Sequence, residues 1–513
     1  MDDALPGDRI HGFHGGLKLQ HHKQTACQHP VERPPLPERL FIAMRQHQGE
    51  TGRTLVETGE HVLKGQALTE AGDDFIVPEH APTSGTIEGV IDYPAAMPPG
   101  SMRRTIVLVP DGEDRPAPRQ PLEDWQERRA DEIVDHLHRS GLAGLGGAMF
   151  PTAAKLRGGW SGLHTLILNG AECEPWIACD EMLMRERARD VVEGGLILAH
   201  AAGARQVVIA IEDRMGLVEE KLREARSALG AERRVRIRKV FTIYPEGGER
   251  QIIQALTGRE VPHDGLPQDL GVVVHNVGTA AAARDAVVEG RPLVERIVTV
   301  TGPGIADPRN LLALVGTPFA HLVEAAGGYR EGVTRLVLGG PMSGTALPSD
   351  EIPVTKGSNC VLALTREETA PTQPTLPCIN CGECVRVCPA RLLPQTLFKL
   401  VEAENYDDAA DYDLADCIEC GCCAAVCPSH IPLVDFYKHG KDELTRRRLD
   451  RRRAALAKRR YEAREERLER ERQARRAKRQ EREEKLKRSE TDAKSEIQAA
   501  IERAKRKKEG GND

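Results

Sequence analysis

Apolar and polar positions over residues 125–290 switch between a helical period and short apolar runs. Helical spacing predicts helices over 127–140 and 180–202. The apolar runs HTLILNG (164–170), QVVIAIE (206–212), VRIRKVF (235–241) and LGVVVHNV (270–277) predict strands between them. Strands alternating with helices mark an α/β domain. Residues 52–110 read instead as short strands separated by glycine turns. Residues 295–345 change texture again, with a strand at RIVTVTG, short helices around 310–315 and 318–326, and a closing RLVLGGPMSG. A Pro/Thr-rich approach (346–377) leads to a cysteine-rich segment. From residue 441 the chain is almost wholly Arg, Glu, Lys and Ala. That tail favours helix, but its apolar positions sustain no heptad, so a coiled coil is not expected. The most apolar stretch, GGLILAHAAGARQVVIAI, is broken by His200, Arg205 and Gln206 and reads as a helix followed by a strand. Nothing reaches the roughly 18 apolar residues that would span a bilayer. The expectation is a soluble or peripheral protein.

Charge divides the chain. Residues 441–513 hold 28 Lys/Arg against 17 Asp/Glu, a net of +11, and the rest holds 44 against 61, a net of −17. The start, MDDALPGDRI, has no apolar core of a secretory signal. Of the 13 cysteines, eight hold the regular spacing of two tight runs. Clustered thiols without a leader point to a reducing compartment and a metal rather than disulfides.

The first run is Cys378, Cys381, Cys384, Cys388 and Pro389; the second is Cys417, Cys420, Cys423, Cys427 and Pro428. Three thiolates at i, i+3 and i+6 can wrap one face of an iron–sulfur cubane. Paired C-x-x-C is also zinc spacing, but four cysteines plus a trailing proline, repeated, favour two [4Fe–4S] clusters. The runs resemble those of two-cluster ferredoxins, in which the fourth cysteine ligates the other cluster. The resemblance implies one set of Cys378, Cys381, Cys384 and Cys427, and another of Cys417, Cys420, Cys423 and Cys388. Cys422 lacks the i+6 offset and reads as a bystander. Cys27, Cys179 and Cys360 read as ordinary buried thiols. Gly382 and Gly421 are expected to leave room for backbone N–H groups near the sulfurs.

A second feature is SGLAGLGGAMFPTAAKL (140–156), where Gly141, Gly144, Gly146 and Gly147 precede Pro151 and a short helical run to Lys155. A glycine-rich turn opening a helix offers bare N–H donors to a phosphate. It matches neither the P-loop nor G-x-G-x-x-G. Three polar turns accompany it: NGAECEPW after the 164–170 strand, YPEGGERQ (244–251), and VVVHNVGT (272–279). Open α/β sheets bind ligands at such strand ends.

Together GGAMFPTAAKL, NGAECEPWIACDEMLM, YPEGGERQ, HNVGT and the cysteine runs resemble RnfC, a member of the Rnf ion-translocating electron transport complex, over about residues 10–440. The α/β region more distantly resembles the FMN- and NADH-binding subunit of respiratory complex I. That resemblance implies FMN cradled by Gly144, Gly146, Gly147 and Lys155, a dinucleotide stacked on Phe150, and Asn169, Glu172 and Glu174 beside flavin and nicotinamide. It places Gly248 and Glu249 in a G-E-E turn and Asn276 and Thr279 near the FMN phosphate, with Glu174 and Glu249 as candidate catalytic residues. Departures from that family are Leu145 for Arg, Met149 for Gly, Ala171 for Asp, Cys173 for Ser and His275 for Asn.

The implied fold class is multidomain α+β. It comprises a barrel-sandwich-hybrid domain (1–120) similar to lipoyl and biotinyl domains, an α/β FMN/NADH-binding domain (121–292), a β-grasp module (293–350), a two-cluster ferredoxin domain (368–440) and a charged helical or disordered tail (441–513). The carrier-like hairpin tip near Gly72-Asp73-Asp74 has no lysine to modify, so the barrel is read as structural. The implied role is electron transfer between NADH and a membrane complex, through FMN and two [4Fe–4S] clusters, coupled to ion movement. Implied partners are integral-membrane subunits and ferredoxin or another carrier, at the cytoplasmic face of the bacterial inner membrane. Alternatives are a soluble flavin/iron–sulfur reductase resembling cobalamin reductase, or a cluster-only conduit without flavin. The tail reads as a solvated helix or as a basic tether to an anionic membrane or acidic partner. No aromatics interleave its charges as nucleic-acid binding would favour.

Overall fold

The computed structural model describes residues 9–96, 100–157, 162–369 and 373–509. The chain divides into two compact units, Met1–Lys438 and His439–Asp513.

The first unit opens on a four-stranded antiparallel sheet of β1 (Leu40–Ala43), β2 (His61–Val62), β3 (Gly85–Pro94) and β4 (Met102–Pro110), in the order β1-β4-β3-β2. Its core is Leu40, Ile42, Val62, Leu68, Ile87, Ile106 and Leu108, all fully buried. The hairpin tip at Gly72–Asp74 carries no lysine, and its Asp74 pairs with Arg157 at 2.6 Å.

Next come α1 (Ala130–Arg139), α2 (Thr152–Leu156), β5 (Thr165–Gly170), α3 (Cys179–Glu186), α4 (Ala188–Ala202), β6 (Gln206–Glu212), α5 (Gly216–Ala228), β7 (Val235–Val240), α6 (Glu249–Thr257), β8 (Val272–Asn276) and α7 (Val277–Glu289). The strands form a parallel sheet in the order β7-β6-β5-β8. Both faces of such a sheet are covered, so β5, β6 and β8 are near-continuous apolar runs, whereas the edge strand β7 exposes Arg236 and Lys239. The single helix expected over 180–202 is two, broken at Arg187, whose guanidinium reaches Asp190 at 2.7 Å and Asp285 at 2.8 Å. A Cβ on Gly194 would run into the Ala280 carbonyl, so glycine lets α4 and α7 cross closely.

A five-stranded mixed sheet follows: β9 (Glu295–Thr301), β10 (Arg309–Leu314), β11 (Val333–Leu338), β12 (Thr345–Leu347) and β13 (Cys360–Thr365), in the order β10-β9-β13-β11-β12, with α8 (Phe319–Ala325) between β10 and β11 in the chain. Two expectations are corrected here. Residues 310–315 are not helical; Arg309–Leu314 pairs antiparallel with β9, Leu311 opposite Val298. The approach segment is not all linker, because β13 lies inside the sheet, parallel to β9 and antiparallel to β11.

The cysteine segment adds α9 (Glu383–Arg386), α10 (Pro394–Glu402), α11 (Tyr406–Asp411) and α12 (Cys422–Ala425). The last helix, α13 (Leu433–Glu509), runs 77 residues. In the second unit its side chains are almost all exposed, with i,i+4 pairs such as Lys485–Glu481 at 2.7 Å. No helix among the described residues is long and apolar enough to cross a membrane.

Candidate functional site

The carboxyl ends of β5 and β8 open onto one edge of the parallel sheet, where α/β sheets gather ligands. Asn276 caps α7: its Oδ1 accepts from the Gly278 N–H at 2.7 Å and its Nδ2 donates to Asp180 at 2.6 Å. One turn on, the Thr279 hydroxyl accepts from the Leu145 N–H at 3.0 Å. A Cβ on Gly146 would lie 3.2 Å from that of Asn276. The glycine-rich loop is thereby held over the N-terminus of α7, the positive end of the helix dipole. The Gly144 N–H closes the loop on the Phe150 carbonyl at 2.8 Å. Gly147 has φ +92° with nothing near its Cβ position, so conformation rather than crowding demands glycine there.

Lys155 on α2 pairs with Glu249, the first residue of α6, at 2.6 Å. Gly248 is the N-cap of α6, and Asn169 donates to the Gly247 carbonyl at 2.8 Å. These contacts gather Gly144, Gly146, Gly147, Lys155, Asn169, Gly248, Glu249, Asn276 and Thr279 beside the carboxyl ends of β5 and β8. Phe150 is edge-on to Phe75, with centroids 5.8 Å apart.

Glu172 and Glu174, expected beside the flavin, are committed inside the fold. The Glu172 carboxylate accepts from the Asp180 N–H at 3.1 Å and lies 3.8 Å from the buried Lys23 ammonium. Glu174 accepts from the Met342 and Ser343 N–H groups, at 2.7 and 3.0 Å, in the β11–β12 turn. Burial pushes its carboxyl up.

The departures from the complex I pattern have local explanations. Met149 takes a left-handed backbone, φ +48°, of the kind glycine adopts most freely. Its sulfur occupies the space a Cβ would fill at Gly357. Cys173 accepts from the Gly247 N–H at 3.2 Å. His275 is buried; burial and then Lys155 hold its imidazole down to about 3, and its Nε2 has no hydrogen-bond partner among the described residues.

The two cysteine runs fold alike. Asn380, Gly382 and Arg391 in the first, and Glu419, Gly421 and His430 in the second, all take positive φ. Gly382 and Gly421 are left-handed caps of α9 and α12, which accounts for glycine at both positions. Between the runs lie two hollows of about 400 and 370 Å³. Cys378, Cys381, Cys384 and Cys427 line one; Cys417, Cys420, Cys423 and Cys388 line the other. Cys422 lines neither and packs with Cys173 and Tyr244. Cys179 and Cys360 are buried as expected, whereas Cys27 is half-exposed.

Several participants were not singled out in the sequence: Lys23, the Met342–Ser343 turn, and Asp180 and Tyr244 within the NGAECEPWIACDEMLM and YPEGGERQ segments. Burial beside Glu172 raises the Asp180 carboxyl to about 7. A larger hollow of about 1030 Å³ borders Leu145, Asp180, Gly278 and Arg296, but not Lys155 or Glu249.

The donor sets fit two kinds of group. A glycine cradle over a helix N-terminus, with a lysine and an unpartnered buried imidazole nitrogen nearby, fits a phosphorylated flavin. Four thiols around each hollow fit a [4Fe–4S] cluster.

Comparison with known proteins agrees. Residues 11–113 match the RnfC barrel sandwich hybrid domain, 137–285 the Nuo51 FMN-binding domain, 297–346 the SLBB domain and 377–431 the 4Fe-4S dicluster domain. Three similar relatives are named as the C component of an ion-translocating oxidoreductase complex. That of Pectobacterium carotovorum is 43% identical over 98% of this chain and 66% of its own length. That of Serratia proteamaculans is 44% identical over 88% and 64%, and that of Pectobacterium atrosepticum 42% over 98% and 72%. The chain therefore spans just under two thirds of the length of the first two. FMN and iron–sulfur modules in this order, with identity above 40% along nearly the whole chain, place it in the RnfC family, the C component of ion-translocating oxidoreductase complexes.

Proposed function

We propose that this chain carries electrons between NADH and a membrane-bound, ion-translocating complex. The observation that carries the reading is that the glycine-rich loop, held over the N-terminus of α7, and both four-thiol hollows lie in one compact unit. Bound FMN would exchange a hydride with NADH, and the clusters would carry its electrons singly. The protein's part is to bind and orient. Lys155 and the N-terminus of α7 offset phosphate charge, while Gly146 and Gly147 let the backbone approach. Asn276 and Thr279 fix the loop over the helix. Phe150 offers a face to the dinucleotide. Glu249 orients Lys155, and Glu174 holds the turn at Met342. Cys378, Cys381, Cys384 and Cys427 ligate one cluster; Cys417, Cys420, Cys423 and Cys388 ligate the other.

Integral-membrane proteins of an Rnf-type complex are the partners this role requires, since no described helix can cross a bilayer. A ferredoxin-like carrier is the natural one-electron counterpart. The place that follows is peripheral, on the cytoplasmic face of the inner membrane. Anaerobic reconstitution of the full chain with iron, sulfide and FMN tests the proposal. NADH should bleach the flavin band and then the broad cluster absorption. Clusters that assemble while FMN washes off and NADH bleaches nothing would overturn it in favour of a cluster-only conduit.

A further inference from the structure

The two cysteine hollows are not equivalent in their surroundings. Tyr244 donates its phenol O–H to the Cys420 carbonyl at 2.7 Å. The Gly421 Cβ position lies 2.8 Å from the Met342 carbonyl, in the turn that Glu174 holds. On the first run, His14 bonds the Cys388 carbonyl at 2.9 Å and the Gly16 N–H donates to Val387 at 3.0 Å. The next residue, Leu17, donates to the Tyr244 carbonyl at 2.8 Å. These contacts fall on Cys388 and on Cys420–Gly421, which line the second hollow. Both hollows are lined from the cysteine segment alone, but the first bears the exposed Cys381 and Ile379, the latter 67% exposed.

The turn that supplies Tyr244 also reaches the proposed flavin site. Tyr244 begins it and Glu249, the partner of Lys155, ends it. Five residue steps span at most about 18 Å. Gly247, midway, is bonded to both Asn169 and Cys173, and Cys173 packs with Cys422 and Tyr244. One short turn, buried over Tyr244–Glu246, thus meets Lys155 beside the glycine-rich loop at one end and the second hollow at the other.

From this geometry we infer an order of electron transfer: the cluster held by Cys388, Cys417, Cys420 and Cys423 is the flavin's neighbour, with Tyr244 as the positioning residue at the joint. The cluster held by Cys378, Cys381, Cys384 and Cys427 is the outer one. This rests on the flavin and iron–sulfur reading above. In the NADH-oxidising direction, reduced flavin gives one electron to the inner cluster. The inner cluster is reoxidised as it reduces the outer one, and the outer cluster is reoxidised by a one-electron acceptor protein. A second electron follows the same way, and reverse flow reverses the order.

Freeze-quench paramagnetic resonance of the reconstituted full chain after NADH mixing tests the order. In Cys420→Ser, flavin should bleach while the remaining cluster is reduced at least tenfold more slowly than in the parent. In Cys381→Ser, the remaining cluster should be reduced at the parental rate. The opposite pattern, or equal rates in both variants, overturns the order. Tyr244→Phe covers the case in which Cys420→Ser does not fold. Without the phenol donor, the inner cluster's midpoint potential should fall in a mediated titration while the outer one holds. A shift in the outer cluster, or in neither, overturns the assignment of Tyr244. If NADH leaves the parent's flavin unbleached, the functional reading fails. The dithionite titration of Tyr244→Phe still reports which cluster the joint touches.

Discussion

Lys356 is fully buried, where three parts of the first unit meet. Its ammonium pairs with Glu79 at 2.9 Å and donates to the Gly141 and Pro78 carbonyls at 2.8 and 3.2 Å. Removing one partner of a buried pair strands the other charge, at a cost of about 3–5 kcal/mol, whereas replacing both is often neutral. Lys356→Met should therefore lower the melting temperature sharply, and adding Glu79→Met should recover most of it; equal melting of the single variant and the parent would refute this. Glu246 makes a different claim. Burial, reinforced by Asp213, raises its carboxyl to about 8. A raised carboxyl means that the folded chain holds a proton the unfolded chain has lost. Its stabilising effect is complete below about pH 4.5 and disappears as pH climbs through 8, a change on the order of a few kcal/mol. Thermal melting from pH 5 to 8 should fall more steeply in the parent than in Glu246→Gln. Neither was legible as a buried charge in the sequence: the partners of Lys356 lie more than 200 residues away in the chain, and the Asp213 that faces Glu246 sits after a different strand. Met149 was visible as a departure from the complex I loop, but Gly357, which makes room for it, was not.

Among the elements, the glycine-rich loop carries the most specific expectation. Gly147 sits at φ +92°, where a β-branched residue is strained by about 1–3 kcal/mol. Gly147→Val should distort the cradle alone, so the protein should lose FMN on desalting while cluster absorption stays. Full flavin retention would show that the loop does not hold it. The loop was legible because its glycines precede a helix and its neighbours end strands. Strands β5, β6 and β8 were legible as apolar runs buried on both faces, and the edge strand β7 as a short Val/Ile-containing run with Arg236 and Lys239 exposed; the structure moves their ends by two residues at most. Strand β10 was not. Its core, Asn-Leu-Leu-Ala-Leu, has no period that separates a strand from a buried helix, and pairing with β9 decides the matter. Strand β13 was hidden for the opposite reason: its neighbours β9 and β11 precede it by dozens of residues, behind proline- and threonine-rich sequence.

At the scale of the whole molecule, the resemblance to two-cluster ferredoxins implied crossed ligand sets, and the two hollows group the same thiols. Cys427→Ser should then disturb the cluster built on the first run, read as loss of one of the two paramagnetic signals in the reduced protein. Loss of the second-run signal alone would contradict the crossing. The basic second unit poses a separate question. Its helix is studded with exposed Arg/Lys–Glu pairs, each worth about 0.3–0.5 kcal/mol, so they keep the helix solvated more than they stabilise it. What the pairs leave over is the net of +11 across residues 441–513. Basic residues at an anionic bilayer are worth about 1 kcal/mol each, but only within a Debye length of roughly 8 Å at physiological salt. Attraction by this tail must therefore weaken as salt rises, whereas attachment through protein partners need not. A chain ending at Lys441 keeps Tyr437, whose buried hydroxyl donates to the Pro394 carbonyl at 2.8 Å, so the first unit should melt as it does in the parent. In vesicle flotation with anionic lipid, the full chain should bind at low salt and release at high salt, and the shortened chain should stay in solution throughout. Binding that survives the truncation, or that ignores salt, would show that the tail is not a tether, leaving it a solvated helix.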